Sequence, residues 1–259
     1  MATLPDFGAS ARERVRTGYY DLRRLPDFCP PREPPSLRAA LARAKVPVVA
    51  EIKPASPTAG ALRPEADAGA LARAFVAAGA CGVSALAVKE GFGGSLENVI
   101  AASGAGAPVL FKDFVVDEAQ LKAARRCGAS AALLILDLTG EAETARLLAR
   151  AHALGLEALV EVYDEEGYRA AAKLDADLLG VNNRDLRREG LPVDPARAGR
   201  VLSSCGPARA PTLALSGVET AADARRQMAA GAAGVLVGSA LMRAPDPAAA
   251  LRALTGASA

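Results

Sequence analysis

The sequence predicts an α/β chain that closes into a (β/α)8 TIM barrel behind an N-terminal helical extension. Three observations lead there. Beyond Lys45, short apolar runs alternate with Ala/Arg-rich stretches of helical period, and the pair repeats eight times. No G-x-G-x-x-G follows the first run, which argues against an open doubly wound sheet. At 259 residues, 51% hydrophobic with 4% aromatic and no Trp, the chain has enough Ala, Val and Leu for one large core of helices packed close on a sheet.

Residues 1–45 are expected to form the extension and 46–259 the barrel. The extension is Pro-rich, with PPREPP at 30–35, and carries helical stretches near 9–20 and 36–44. Its place before the first strand suits either a lid over the site or a plug beneath the barrel. Strands are expected at 46–53, 82–87, 108–112, 131–136, 158–162, 178–182, 212–216 and 234–238. Helices are expected near 68–78, 96–103, 117–127, 141–154, 164–172, 194–202, 220–230 and 247–254, with a short one at 239–243 after the last strand. In such a barrel the loops after the strands carry the function.

Composition narrows the chemistry. Formal net charge is +2, and the densest basic group is Arg12, Arg14, Arg16, Arg23 and Arg24. With no aromatic platform beside it, that group reads as a solvated helix face, so no nucleic acid is expected. Cys29, Cys81, Cys127 and Cys205 lie far apart without C-x-x-C spacing and read as reduced thiols of a cytoplasmic protein. No apolar run reaches the roughly 18 residues of a membrane span, and the start lacks a signal-peptide layout, so no membrane is expected. The single histidine, His152, falls in a helical stretch. Without a His/Cys cluster no metal is expected, and no Ser-His-Asp set or G-x-S-x-G is present. Lysine and carboxylate chemistry remains.

That chemistry gathers at strand ends. In VVAEIKPASPTAG at 48–60, Glu51 and Lys53 are two apart, so a strand sends both to one face just before a turn. A rim ion pair is the plain reading, a working pair the sharper one. The third strand ends in Lys112, the fifth carries Glu161, and the sixth ends in Asn182 with Arg184 two residues on. Lysine is scarce in this Arg-rich chain, so two lysines at strand ends are informative. Ser216, Gly217, Gly238 and Ser239 end the last two strands, where small residues let backbone N–H groups approach a phosphate. Tight turns alone would also use glycine there. Acid/base work falls to Glu51, Lys53, Lys112 and Glu161.

These residues give the chain a resemblance. EIKPASP, FGGSLEN, VLFKDFVVDEAQL, ALVEVYDEE, LLGVNNRDL, LSGV and VGSALMR, in this order and spacing, resemble the indole-3-glycerol phosphate synthase family across everything after Lys45. The resemblance implies the substrate 1-(2-carboxyphenylamino)-1-deoxyribulose 5-phosphate, closed to an indole with loss of carbon dioxide and water, and no cofactor. It implies Lys112 as the general acid on the ribulose carbonyl and Lys53 as the group holding the substrate carboxylate. Glu51 and Glu161 become acid/base partners whose division of labour stays open. Asn182 and Arg184 are implied to bind the ribulose hydroxyls. Ser56, Ser216, Gly217, Gly238 and Ser239 would cradle the phosphate, and Phe92, Phe114 and Leu186 would wall the aromatic ring. The expected partner is this small phosphorylated substrate; a monomer or weak oligomer is expected, with association with other tryptophan-pathway enzymes left open.

Four positions, in three places, depart from the family pattern. Ala87 and Val88 stand where polar residues are usual, Leu215 stands where a Glu is usual, and Pro54 stands where a basic residue is common. Two rival readings therefore stay open: another phosphate-binding barrel isomerase, which the lysine pair disfavours, and a catalytically impaired or specialised paralogue that binds the same ligand.

Overall fold

The computed structural model describes residues 2–257; Met1 of the expected extension and the last two residues of the expected barrel segment lie outside the described residues. The chain opens with two helices, α1 (Leu4–Arg16) and α2 (Leu37–Arg43). Among the described residues, eight parallel strands then close a barrel: β1 (Val48–Ile52), β2 (Gly82–Leu86), β3 (Val109–Lys112), β4 (Ala131–Ile135), β5 (Glu157–Val162), β6 (Leu178–Asn182), β7 (Thr212–Leu215) and β8 (Gly234–Val237). They follow one another around the wall, and β8 returns to pair with β1 through Val48 opposite Val235 and Ala50 opposite Val237. Each lies within two residues of the bounds its apolar run predicts.

Helices α3 (Ala68–Ala77), α4 (Leu96–Ser103), α5 (Glu118–Arg126), α6 (Leu136–Ala153), α7 (Glu165–Ala171), α8 (Arg197–Cys205), α9 (Ala221–Ala229), α10 (Ser239–Arg243) and α11 (Pro247–Thr255) follow the strands. Their starts are chemically marked. Asp67, Ser95, Asp117, Asp164, Thr220 and Asp246 each accept a hydrogen bond from a first-turn N–H, and a cap of this kind is worth about 1 kcal/mol. Three helices differ from expectation, α8 by a shift of three residues at both ends. Helix α1 begins five residues earlier than its apolar period suggests, because Thr3 and Asp6 form a reciprocal capping box there, and it ends before Gly18, whose φ is 74°. Helix α6 runs directly off β4 and bends at Gly140, whose φ is 75°.

The strands divide the core by alternation. Val48, Ala50 and Ile52 face the helices, whereas Val49 belongs to the cluster inside the barrel with Leu110, Leu133, Leu159, Leu178, Leu213 and Leu236. Glu51 and Lys53 continue the series that starts at Val49, so they emerge inside the barrel at its carboxyl end.

The N-terminal segment holds the barrel at both ends. Beneath it, Glu157 at the start of β5 accepts from Leu37 N at 2.8 Å and Arg38 N at 3.0 Å, and also from the Ser36 hydroxyl. This carboxylate caps α2 from outside the helix, and Leu37 and Leu41 plug the barrel floor. Gly82 makes the room: a Cβ there would lie 2.6 Å from the Leu37 side chain. Above the barrel, α1 crosses the mouth. Leu4 N donates to Leu186 O at 2.7 Å, and Tyr19 donates from its hydroxyl to Ala87 O at 3.0 Å. The segment thus makes contacts at both ends of the barrel, the two positions that the sequence left open.

Candidate active site

A cavity of about 310 Å³ opens at the carboxyl ends of the strands. Every site residue singled out in the sequence lines it except Glu161: Glu51, Lys53, Ser56, Phe92, Lys112, Phe114, Asn182, Arg184, Leu186, Ser216, Gly217, Gly238 and Ser239. Glu161 borders an adjoining pocket that shares Ile135, Asn182, Arg184 and Leu186 with the main one, and its place two residues after Leu159 turns it toward the barrel interior.

The charged centre is built on one carboxylate. Lys53 Nζ lies 3.2 Å from Glu51 Oε1, Lys112 Nζ lies 4.0 Å from Oε2, and the Ser84 hydroxyl donates to Oε2 at 3.4 Å. Register explains the meeting, because Glu51 pairs with Ser84 across β1 and β2, and Lys112 ends the neighbouring strand β3. Burial pushes the Glu51 carboxyl up, but Lys53 and Lys112, with hydrogen bonds from Lys53 and Ser84, together hold it below the ordinary 4.5. Two ammoniums share a single anion, so the centre carries an excess of positive charge. It is suited to an anionic ligand.

Glu161 is tuned the other way. Asn182 Nδ2 donates to its Oε1 at 2.8 Å, while its Oε2 is buried without a hydrogen-bond partner. Burial raises its carboxyl above the ordinary 4.5, only partly opposed by Lys112 and Asn182. Asn182 is itself fixed, since its Oδ1 accepts from Arg184 N at 2.9 Å. The Arg184 guanidinium donates to Leu191 O at 2.9 Å and to the Thr58 hydroxyl at 3.5 Å, with no carboxylate in hydrogen-bond contact among the described residues. Burial lowers its pKa and Glu51 counters this.

Opposite the charges the cavity has two further walls. Leu86, Val88, Phe92, Phe114, Leu133, Ile135 and Leu186 make an apolar side. Phe7 of α1 stacks on Phe114 with ring centres 4.6 Å apart and planes 13° apart, buttressing that side from behind. The other wall is backbone. Ser216 (φ 62°) and Gly217 (φ 69°) are consecutive left-handed residues that line the cavity, a turn that costs a serine strain. Gly238 abuts the charged centre: a Cβ there would lie 2.6 Å from Glu51 Oε1.

Several participants were not singled out in the sequence. Arg14, read there as part of a solvated face, is buried at 6% exposure. Its guanidinium donates to Asp113 at 3.1 Å, to the Tyr20 hydroxyl at 3.0 Å and to Glu90 at 3.1 Å, while Tyr20 donates to Asp113 at 2.6 Å. Asp113 follows Lys112 directly and accepts from Phe114 N at 2.8 Å, so this cluster ties α1 to the lysine's own loop. The signal was Asp113 itself, an acid set between Lys112 and an apolar run. Glu219 and Arg243 also line the cavity. Of the departures, Val88 and Leu215 present apolar side chains to it, and the Ala87 carbonyl accepts from Tyr19. His152 is far from the mouth, paired with Asp177 at 2.8 Å.

Comparison with known proteins agrees with this geometry. The family model described as indole-3-glycerol phosphate synthase matches residues 14–254. An indole-3-glycerol phosphate synthase 2 of Streptomyces coelicolor is 45% identical over 219 residues, 84% of each chain. The indole-3-glycerol phosphate synthase of Nocardioides sp. is 39% identical over 99% of each chain, and that of Carboxydothermus hydrogenoformans 37% over 94% of this chain and 96% of its own. Among solved structures, a mandelate oxidase variant superimposes with a TM-score of 0.61 at 19% identity, covering 83% of this chain and 76% of that one. A KDPGal structure gives 0.56 at 21% identity, covering 83% and 95%. Likeness at that level of identity speaks to the fold alone.

Proposed function

The chain belongs to the indole-3-glycerol phosphate synthase family, and from that premise we propose how its own residues divide the work. The enzyme is a ring-closing carboxy-lyase of tryptophan biosynthesis, converting 1-(2-carboxyphenylamino)-1-deoxyribulose 5-phosphate to indole-3-glycerol phosphate, carbon dioxide and water. The reading of the site is carried by one observation: Glu51 is bracketed by Lys53 and Lys112 beside an apolar wall.

In this proposal the aromatic ring packs against Phe92, Phe114 and Leu186. The phosphate lies at the backbone of Ser216, Gly217, Gly238 and Ser239, with Ser56 on the rim. Held at both ends, the flexible ribulose chain folds so that the ring carbon bearing the carboxylate meets the carbonyl carbon. As that bond forms, Lys112 donates a proton to the carbonyl oxygen and stabilises the charge growing there. Lys53 orients the substrate carboxylate. The carboxylate then leaves as carbon dioxide, and its bonding pair returns to the ring.

Dehydration needs an acid for the departing hydroxyl and a base for the proton lost from the new ring. The opposed shifts of the two glutamates suggest the assignment: Glu161, raised, stores the proton, and Glu51, lowered, accepts one. Asn182 holds Glu161 in place, and Asn182 and Arg184 bind the ribulose hydroxyls. We further take residues 1–45 as an extension that completes the mouth and 46–259 as the catalytic barrel. The unpaired thiols of Cys29, Cys81, Cys127 and Cys205 support a cytoplasmic setting. Among the described residues no helix is long and apolar enough to cross a membrane. The decisive assay follows indole absorbance or fluorescence when purified protein meets the carboxyphenylamino substrate. Lack of product with the native chain would overturn the reading.

A further inference from the structure

Glu219 and Arg243 face each other across the mouth of the same cavity, with Arg243 donating to Glu219 at 2.6 Å. Each comes from one arm of the phosphate cradle. Glu219 follows Ser216 and Gly217 by two residues, and Arg243 lies four residues beyond Ser239 on α10, one turn along the same helix face. Both side chains are about half exposed, at 46% for Arg243 and 54% for Glu219, and Arg243 makes no other ion pair among the described residues. An exposed pair of this kind is cheap to open. A phosphate monoester, carrying roughly −1.5 to −2 charges at neutral pH, would compete with Glu219 for Arg243, whose planar fork suits two phosphate oxygens.

We propose that Glu219 and Arg243 form an exchange latch on the phosphate seat: the arriving phosphate takes the guanidinium from Glu219, which turns out to solvent, and Glu219 reclaims it as product leaves. This rests on the phosphate seat proposed above. Glu219 then sets affinity by competition. It keeps the empty rim neutral and lowers retention of any phosphate, product included. The carboxylate and the guanidinium should therefore act on binding with opposite signs, which a merely structural ion pair would not do.

The test measures KM for the substrate and the inhibition constant of inorganic phosphate in the native enzyme, Glu219→Gln, Arg243→Gln, the double variant and Ser239→Glu. Glu219→Gln should lower both constants about three- to tenfold, and Arg243→Gln should raise both about tenfold. The double variant should match Arg243→Gln, because Glu219 acts only through Arg243. If Glu219→Gln weakens phosphate as Arg243→Gln does, or neither changes it, the latch is wrong. Ser239→Glu separates this from failure of the seat. Loss of phosphate inhibition in Ser239→Glu with no effect of the other two overturns the latch alone. Inhibition that survives Ser239→Glu, or is absent from the native enzyme, overturns the seat and the latch with it.

Discussion

Arg14 on the first helix and Asp113 beside the third strand meet at 3.1 Å across 99 positions of sequence, both buried. Asp113 also receives Tyr20 and the backbone of Phe114, so one carboxylate holds the helix over the mouth and the loop that presents Lys112. Removing one partner of a buried pair leaves the other charge unpaired and costs about 3–5 kcal/mol. Arg14→Met and Asp113→Asn should each lower the unfolding free energy from urea titration by that amount and also lower kcat. Arg14→Met with Asp113→Leu should recover part of the stability and none of the activity. Single variants with native midpoints would separate the pair from stability.

Lys112→Met should reduce turnover by about a hundred- to ten-thousandfold, the range for loss of a general acid. Glu51 keeps Lys53 at 3.2 Å, so the seat for an anionic substrate survives. Calorimetric titration with a reduced, unreactive substrate analogue should give affinity close to native. Normal turnover in this variant would remove Lys112 from the mechanism.

The two glutamates should pull stability in opposite directions with pH. Glu161 has a folded pKa above the ordinary 4.5, so its contribution is complete below that value. As pH rises past it the unfolded chain ionises first, and the contribution declines until the folded chain ionises too. Glu51 is lowered, so its contribution is present above 4.5 and is lost as pH falls through its folded value. Urea midpoints measured from pH 4 upward should decline less in Glu161→Gln than in the native chain. Parallel profiles would contradict the raised value.

Gly238→Ala places a methyl 2.6 Å from Glu51 Oε1 and 3.1 Å from its Cβ. The carboxylate must move away from its lysines. A displacement of this size should cost about a hundredfold in kcat, read directly in the indole assay, with the fold intact by circular dichroism.

Glu157→Ala removes the acceptor of two α2 N–H groups and of the Ser36 hydroxyl at the barrel floor. A loss of about 2 kcal/mol in unfolding free energy is expected, with kcat unchanged because the site is at the opposite end. A fall in kcat would show that the floor plug shapes the mouth.

How much was legible depended on how local the cause was. The strands were readable because each apolar run is its own signal, and Glu51, Lys53 and Lys112 were readable because charges interrupt those runs at their ends. Arg14 was misread because its surroundings, Asp113 and Tyr20, are supplied by the fold and leave no trace in the period of α1. Glu161 was found as a residue but not as a buried one, since its burial and its hydrogen bond from Asn182 on the next strand are supplied by the fold. The start of α1 was missed because the capping pair Thr3 and Asp6 is polar and precedes the apolar period.

The clasp of the N-terminal segment on both ends of the barrel bears on how the chain matures. Helix α1 precedes every barrel strand in the chain, yet its resting places, the Ala87 carbonyl, Phe114 and the Leu186 carbonyl, belong to loops after the second, third and sixth strands. Its contacts wait on loops far along the sequence and so are among the last to form. The aromatic pocket is therefore completed only on a nearly finished barrel, and a half-made chain has no competent mouth with which to capture and waste a reactive substrate.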